Sequence, residues 1–271
     1  MKVNRMIATL LMGFIFLSGC SSSPKQVEKT WIIMQENIAS FADGENVDLW
    51  RSDYGGRDVY KLSDGTTLLT VQNSSGPANV SVDGVENFAD LSETAKKAVL
   101  TYYEEQGLLY DIQTELKKAY DEYLRCKKSG QKFNDFFIIQ DIVPTGSNDN
   151  IMCFLTSVTL PLGGQMAQEL RLGAVFDKKT GEVLSIWDLL TSPENESKKQ
   201  LLDAAQIEDA TLVSEMEKAL KDECVILFPD NLEISFPQGV LPSQEHSIIV
   251  GIDYADLQGI IKNWAIPYSA K

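Results

Sequence analysis

Histidine and cysteine, on which many nucleophilic sites are built, are scarce in this 271-residue chain, which contains four cysteines and one histidine. A Ser-His-Asp or Cys-His arrangement would have to be built on His246. This histidine lies in the polar turn 242–246 before an apolar run, which is typical of a solvent-exposed loop residue. The cysteines lack the close Cys/His spacing of a zinc site. The sequence therefore predicts a protein that is not an enzyme, with no catalytic residues, no metal and no cofactor.

Acidic side chains are plentiful and offer two further kinds of site. Adjacent acids such as Glu104 and Glu105 face different ways on a helix, whereas a glycosidase needs two carboxyls about 5 to 9 Å apart in a cleft. The oxygen-rich stretches 43–48 and 147–150 lack the spacing of an EF-hand and its closing bidentate glutamate. We interpret the paired acids as solvated helix residues and the two stretches as turns.

Two aromatic residues are candidates for ligand contact. Trp50 and Tyr54 lie on either side of Arg51 and Ser52, in a stretch that ends at two glycines. Aromatic residues and arginine are enriched among the residues that dominate binding interfaces. We take Trp50 and Tyr54 as possible ligand-binding residues; the alternative is that both pack in the core or within a loop.

Cys20 differs from the other cysteines because it ends an apolar segment. It follows Leu17-Ser18-Gly19, and the segment 7–17, preceded by Lys2 and Arg5, is 11 residues long. This length suits a secretory signal and is too short for a membrane-spanning helix, which needs roughly 20 apolar residues. The ending resembles a bacterial lipobox, in which the preceding peptide is removed at small residues and a lipid such as palmitate is attached to the cysteine. A plain amino-terminal anchor with a chance cysteine is the alternative.

The lipobox resemblance implies a division of the chain and a location. Residues 1–19 would be the signal peptide, and residues 20–30 a polar, lipid-anchored tether. The body would then lie at the extracytoplasmic face of the cell membrane, attached through its amino-terminal lipid. We divide it into a strand and long-helix region, 31–130, and a second region, 131–271. The sequence leaves open whether the host has one membrane or two.

Three cysteines remain when Cys20 is assigned to the lipid. Because three is an odd number, Cys126, Cys153 and Cys224 form at most one disulfide. We interpret them as core cysteines that are reduced or partly paired, and the sequence does not decide between these states.

The charge of the chain restricts its partners. The formal net charge is −15, and removal of residues 1–19 takes two basic residues with it and leaves −17. Such a surface repels phosphate backbones and anionic lipid head groups, so nucleic acid is excluded as a partner. A cationic partner is favoured because opposite net charges speed encounter. Simple solubility is the alternative explanation of the charge.

Helical periodicity is strongest between 91 and 128, where apolar residues recur at steps of mostly three and four. Asp90 and Glu93 have the spacing of a capping box, and Gly130 is a stop signal. The pattern predicts one long helix near the middle of the chain, with Gly107 as a point at which it would kink or split.

Strand patterns occupy most of the remaining body. Runs of strands with separate helices predict an α+β fold, with an antiparallel sheet packed with helices. The expected elements are a hairpin over 58–71 around Asp64-Gly65, a strand over 80–85, a meander over 136–187 whose first strand ends at 144–146, a helix over 208–222, strands over 225–228, 232–236 and 247–252, and a helical turn over 254–263.

The second half of the body resembles a known family. The stretch from Gly173 to Leu190, with Phe176-Asp177 and Thr180-Gly181 between two strands, resembles the RsiV-like extracytoplasmic domain, which occurs in lysozyme-sensing anti-sigma factors and some cell-wall deacetylases. The order of the elements that follow is also similar to that of the family. It consists of a helix, a strand, the segment 231–236, and a last strand that leads into a short helix. The resemblance covers roughly 133–265. Residues 163–166 lack the histidine that many members carry there, and a lipid anchor replaces the transmembrane helix, so regulated proteolysis is not implied.

These observations lead to one expected function and two alternatives. We expect a membrane-tethered extracytoplasmic binding lipoprotein without catalytic activity. The family resemblance implies that its ligand is a cell-envelope component such as peptidoglycan, or a cationic protein such as lysozyme. The alternatives are a cell-wall-acting enzyme or accessory subunit, and a structural envelope lipoprotein. The sequence does not define the oligomeric state.

Overall fold

The computed structural model describes residues 31–52, 57–72, 91–162 and 165–267. The predicted Cys20 lipid site, Tyr54 and the predicted strand over 80–85 lie outside these residues. In chain order the elements are β1 (Trp31–Ser40), β2 (Asn46–Ser52), β3 (Arg57–Leu62), β4 (Thr67–Gln72), α1 (Glu93–Gln106), α2 (Ile112–Ser129), β5 (Phe136–Ser147), β6 (Ile151–Leu162), β7 (Gln165–Asp177), β8 (Val183–Leu184), α3 (Glu194–Ala204), α4 (Ala210–Ala219), β9 (Val225–Leu227), β10 (Asn231–Phe236) and β11 (Ile248–Asp253), with short 3-10 helices at Ile186–Leu189, Asp222–Cys224 and Asn263–Ala265.

The strands form a large sheet and a small one, and with the helices they confirm the α+β class. Eight strands pair in chain order from β1 to β8, and the second sheet has the order β11-β10-β9. The large sheet is mixed rather than antiparallel as predicted, because β4 and β5 pair in parallel. A parallel pair needs a crossover connection, and the chain between these strands includes α1 and α2. The predicted boundary at residue 130 falls within the large sheet, which has strands on both sides of it. The division of the body into the regions 31–130 and 131–271 stays a prediction.

The single long helix predicted over 91–128 is not present, and two helices take its place. Gly107 has the left-handed φ of 62° and donates its N–H to the Tyr103 carbonyl, which ends α1. Asp111 then caps α2, because its Oδ1 accepts the N–H of Thr114 at 2.8 Å. The break therefore has a local cause, a glycine that leaves the helical region followed by a new N-cap.

Other expectations have mixed outcomes. The hairpin around Asp64-Gly65, the long strands β6 and β7 and the three closing strands are confirmed. The prediction that the first strand of the meander ends at 144–146 is wrong, because β5 continues to Ser147 with a register shift between Pro144 and Gly146. The helix α3 was not predicted. Within the described ranges, no helix combines the length and the apolar composition needed to cross a bilayer.

The two helices of the crossover pack on one face of the large sheet. On α2, Leu116 and Tyr120 pack in a core with Tyr60 and Leu69 of the sheet. On α1, Tyr103 packs against Phe154 and Phe176, which come from β6 and β7. This face of the sheet is thus covered from β2 to β7, which explains why the apolar residues of α1 and α2 recur on one side.

The small sheet packs on the opposite face of β6 and β7. Cys153 and Val175 belong to its core, whereas their neighbours Phe154 and Phe176 face α1. This alternation along both strands is the period of two expected for a sheet that is covered on both sides. We call the small sheet with α3 and α4 the carboxy-terminal unit, residues 188–256.

Candidate functional site

A cleft lies between the turn after β1 and the surface of α2. Its volume is about 490 Å³. Residues 39–43 form one wall. The other wall is one stripe of α2, formed by Gln113, Lys117, Tyr120, Asp121 and Leu124. Their spacing of three and four residues places them on one face of the helix.

A stacked pair of rings holds the turn on the helix. The rings of Phe41 and Tyr120 are parallel within 5°, and their centroids are 3.8 Å apart. Tyr120 is buried, and its hydroxyl donates to Asp43 Oδ2 at 2.6 Å. This hydrogen bond lowers the pKa of Asp43, while burial and the Asp43 carboxylate raise the pKa of Tyr120. At neutral pH the pair is therefore a neutral hydroxyl donor and a charged acceptor in a fixed geometry.

The helical wall adds polar and apolar groups at the mouth of the cleft. The Lys117 ammonium is 2.6 Å from Asp121 Oδ2, an ion pair of the i,i+4 type in which both side chains are largely exposed. The Gln113 amide donates to the Ile38 carbonyl at 3.3 Å. Leu124 is 39% exposed and adds an aliphatic side chain to the lining of the cleft. The cleft thus combines an aromatic and aliphatic surface with donors and acceptors.

Trp50, the candidate from the sequence, lies away from this cleft. It belongs to a cross-strand row on the face of the sheet opposite α2, formed by Ile33, Trp50, Val59, Thr70 and Phe137. The Trp50 indole is half-buried, and the Lys61 ammonium lies 5.3 Å from its ring centroid. Such a contact is a cation–π interaction within the sheet surface. A ligand-binding role for Trp50 and Tyr54 stays a prediction.

The carboxy-terminal unit is strongly acidic and contains a second groove. Between 188 and 256 there are 15 acidic residues and four lysines, which gives a net charge of −11. A groove of about 400 Å³ lies between α3 and α4, and its described lining includes Asp203, Glu208 and Glu217 beside Ile207 and Val213. The groove therefore presents carboxylates next to an apolar surface.

The described residues do not show a constellation of the usual catalytic type. Over the ranges given above, no three His, Cys, Asp or Glu side chains are placed to hold a metal ion. His246 is exposed in the loop before β11, as its sequence context predicts. Cys126, Cys153 and Cys224 are free and buried, and burial raises the pKa of each thiol. The question of a disulfide among these three is therefore answered in favour of unpaired thiols.

The stretch 147–150 forms a turn, as interpreted from the sequence, whereas 43–48 is a turn only in its first part because β2 begins at Asn46. The 41–45 turn is closed by the bond from Phe41 N–H to the Glu45 carbonyl at 2.8 Å. In the second stretch, the oxygen of the Asn148 side chain accepts the N–H groups of Asn150 and Ile151. Its amide nitrogen donates to the carbonyls of Trp264 and Ile266. Asn148 thus ties the β5–β6 turn to the end of the described chain.

Comparison with known proteins gives distant similarities. The chain resembles a DUF3298 family protein from Pseudomonas aeruginosa, with 20% identity over 54% of this chain and 70% of that one and a TM-score of 0.35. It also resembles a DUF3298 family member from Bacteroides fragilis, with 10% identity over 87% of this chain and 94% of that one and a TM-score of 0.37. No family model and no curated protein matches the sequence. These identities and TM-scores are too low to assign a function. The class of the protein therefore follows from its own structure, which is an α+β fold with an open cleft and an acidic carboxy-terminal unit.

Proposed function

We propose that this protein is a membrane-tethered extracytoplasmic binding lipoprotein and that its ligand is a cationic protein such as lysozyme. In this proposal Cys20 carries the lipid anchor, residues 20–30 are the tether, and the carboxy-terminal unit carries the binding surface. The resemblance of 133–265 to the RsiV-like domain supports this choice of partner, and so does the charge of the body.

The observation that carries the proposal is the uneven distribution of charge. The carboxy-terminal unit has a net charge of −11, whereas the other 202 residues of the chain together have −4. A surface of one sign attracts a partner of the opposite sign over roughly one Debye length, about 8 Å at physiological ionic strength. The acidic groove between α3 and α4 would add a concave place for a basic side chain, with an apolar wall for its aliphatic stem.

The predicted lipid anchor is compatible with a binding surface that faces away from the membrane. A tether of 11 residues reaches about 40 Å when fully extended, which keeps the body within reach of the membrane. Because anionic head groups repel an acidic surface, the carboxy-terminal unit would face away from the bilayer. A basic protein arriving from outside would then meet the acidic unit first.

The test is binding of hen egg-white lysozyme to the full chain, purified from membranes in detergent, by calorimetry at low and high salt. We compare two triple variants of equal net charge. The first is Asp203→Asn, Glu208→Gln and Glu217→Gln in the groove. The control is Glu104→Gln, Glu105→Gln and Asp135→Asn, which are exposed and lie outside the acidic unit.

We expect the groove variant to lose about tenfold in affinity. Exposed charge pairs contribute roughly 0.2 to 1 kcal/mol each, and 1.4 kcal/mol corresponds to a factor of ten. The control is expected to stay within about twofold of the wild type, because a distant screened charge has little effect. Absence of binding at low salt contradicts the proposal. An equal loss in both variants also contradicts it, because net charge alone would then explain the binding.

A further inference from the structure

We propose that the cleft between the β1–β2 turn and α2 binds an uncharged saccharide. This site is separate from the acidic carboxy-terminal unit, and the proposal does not depend on the capture of a cationic protein. It rests on the size of the cleft, the pairing of its charges, and the rigidity of its aromatic wall.

The size and form of the cleft suit a small ligand that remains partly solvated. A volume of about 490 Å³ falls within the range of roughly 300 to 1,000 Å³ of small-molecule sites. The side chains at its mouth are largely exposed, as shown by Lys117 at 70% and Asp121 at 60%. An open site of this kind accepts a ligand whose outer hydroxyl groups stay in water.

The polar groups of the cleft match a ligand that both donates and accepts hydrogen bonds. The carboxylates of Asp43 and Asp121 accept, the ammonium of Lys117 donates, and the Gln113 amide does both. A sugar hydroxyl is a donor and an acceptor at once, so neighbouring hydroxyl groups can meet a carboxylate and a donor side by side. Amines and simple acids satisfy only one half of such a set.

The charges of the cleft favour a neutral ligand over an anion. The positive charge of Lys117 is neutralised by Asp121 at 2.6 Å. The charge of Asp43 is already stabilised by the Tyr120 hydroxyl at 2.6 Å, and this hydrogen bond lowers the Asp43 pKa. Asp43, Asp121 and Lys117 together leave one excess negative charge, so the cleft repels an anionic ligand, whereas a neutral ligand meets the same hydrogen-bonding groups without this repulsion.

An apolar surface lies between these polar groups. The Phe41 ring and the 39% exposed Leu124 line the cleft together with Ala39 at the end of β1 and Ala42 of the turn. One face of a pyranose ring presents C–H groups, which pack against aromatic and aliphatic surfaces. The Phe41 ring is held by its parallel contact with the buried Tyr120, so little conformational freedom is lost on binding. A fixed apolar wall with flanking hydrogen-bonding groups is the combination that orients a sugar ring.

The experiment measures binding of two neutral trisaccharides and one anionic trisaccharide to the full chain, purified from membranes in detergent. The probes are triacetylchitotriose, cellotriose and trigalacturonate, each at about 5 mM, a concentration that detects affinities down to the millimolar range. Saturation-transfer NMR reports which sugar protons contact the protein, and calorimetry gives the dissociation constant. We expect transfer from the protein to ring C–H protons of at least one neutral probe and none to trigalacturonate.

Two cleft variants and two matched controls locate the site. Leu124→Ala and Gln113→Ala remove exposed groups of the cleft. Their controls are Leu100→Ala on α1, where the leucine is 38% exposed, and Gln131→Ala after α2. Because all four side chains lie at the surface, each variant is expected to fold, which its melting temperature checks.

We expect each cleft variant to weaken binding of the neutral probe at least fivefold and each control to leave it within twofold. Three results overturn the proposal. They are no transfer to either neutral trisaccharide, equal binding of trigalacturonate, and an equal loss of binding in the cleft variants and the controls. None of these results bears on lysozyme capture, because lysozyme is absent from this assay.

Discussion

Replacing Gly173 with alanine is expected to force the two sheets apart at the point where they meet. Gly173 lies in β7, and a Cβ added to it would be 2.0 Å from the carbonyl oxygen of Val225 in β9. The same Cβ would be 2.9 Å from the Val225 carbonyl carbon and 3.2 Å from the Cα of Ile226. Ordinary contact begins at 3.4 Å, so the closest approach is short by about 1.4 Å. All three atoms belong to the backbone and have no rotamer into which they can move.

The size of the effect follows from what the displacement breaks. Overpacking of an interior costs roughly 1 to 3 kcal/mol and more where neighbours cannot adjust. Here β9 is tied to the rest of the junction by the bond from Thr145 Oγ1 to the Leu227 carbonyl at 2.7 Å. Beside it, Arg171 Nη2 is 2.6 Å from Glu233 Oε2. We therefore expect a loss of about 3 kcal/mol or more in the free energy of unfolding, a large part of the roughly 5 to 15 kcal/mol of a typical domain.

Urea unfolding followed by far-ultraviolet circular dichroism and tryptophan fluorescence measures this loss. The matched control is Gly251→Ala in β11, where the added Cβ meets only the flexible Asn231 side chain at 3.2 Å. Both substitutions stiffen the unfolded chain in the same way, so this contribution cancels between them. We expect the control to remain within about 1 kcal/mol of the wild type. A Gly173→Ala protein as stable as the control would refute the close approach of β7 and β9.

Two further predictions concern single polar side chains. Asn148→Ala removes four hydrogen bonds of a residue that is 5% exposed. We expect the free energy of unfolding, measured with urea, to fall by about 2 to 4 kcal/mol. A loss below about 0.5 kcal/mol contradicts the assigned contacts. Tyr120→Phe removes the hydrogen bond that lowers the pKa of Asp43. A lowered pKa stabilises the fold above the unfolded value of about 3.9 and ceases to do so as the pH falls through the folded value. The melting-temperature difference between wild type and Tyr120→Phe is therefore expected to be larger at pH 7 than near pH 2, and an equal difference at both would exclude this coupling.

Local signals in the sequence accounted for much of the secondary structure. The Asp64-Gly65 hairpin formed where it was predicted, because a glycine with φ of 86° and an aspartate that accepts the Thr66 N–H build the turn from within. The split between α1 and α2 also had local causes at Gly107 and Asp111. The apolar period continues across the break and so predicted a single helix, but α1 ends before Gly107, the residue named as the point of a kink or split.

Long-range pairing was less accessible to sequence reasoning. The parallel pairing of β4 with β5 depends on the path of the chain through two helices, which no pattern within either strand records. The strand β5 continues past Pro144 because β6 pairs with it from Ile139 to Ser147 and a register shift accommodates the proline. Both features come from the partner strand, so inspection of each strand alone predicted neither.

The candidate sites also combine features that the sequence predicts with features that only the tertiary structure shows. Composition alone established the acidic balance of the chain and its single histidine, and local pattern established turns, caps and the apolar segment before Cys20. The cleft joins residues 39–43 to a stripe of α2 that is about 70 positions away, and Tyr120 contacts Asp43 across 77 residues. Trp50, singled out from the sequence, lies on the other face because β2 alternates its side chains and its neighbours Val47 and Leu49 pack in the core under α2. Sequence patterns determine which residues are buried and where the chain turns, whereas the tertiary structure alone decides which distant side chains meet, because that depends on strand order and helix packing.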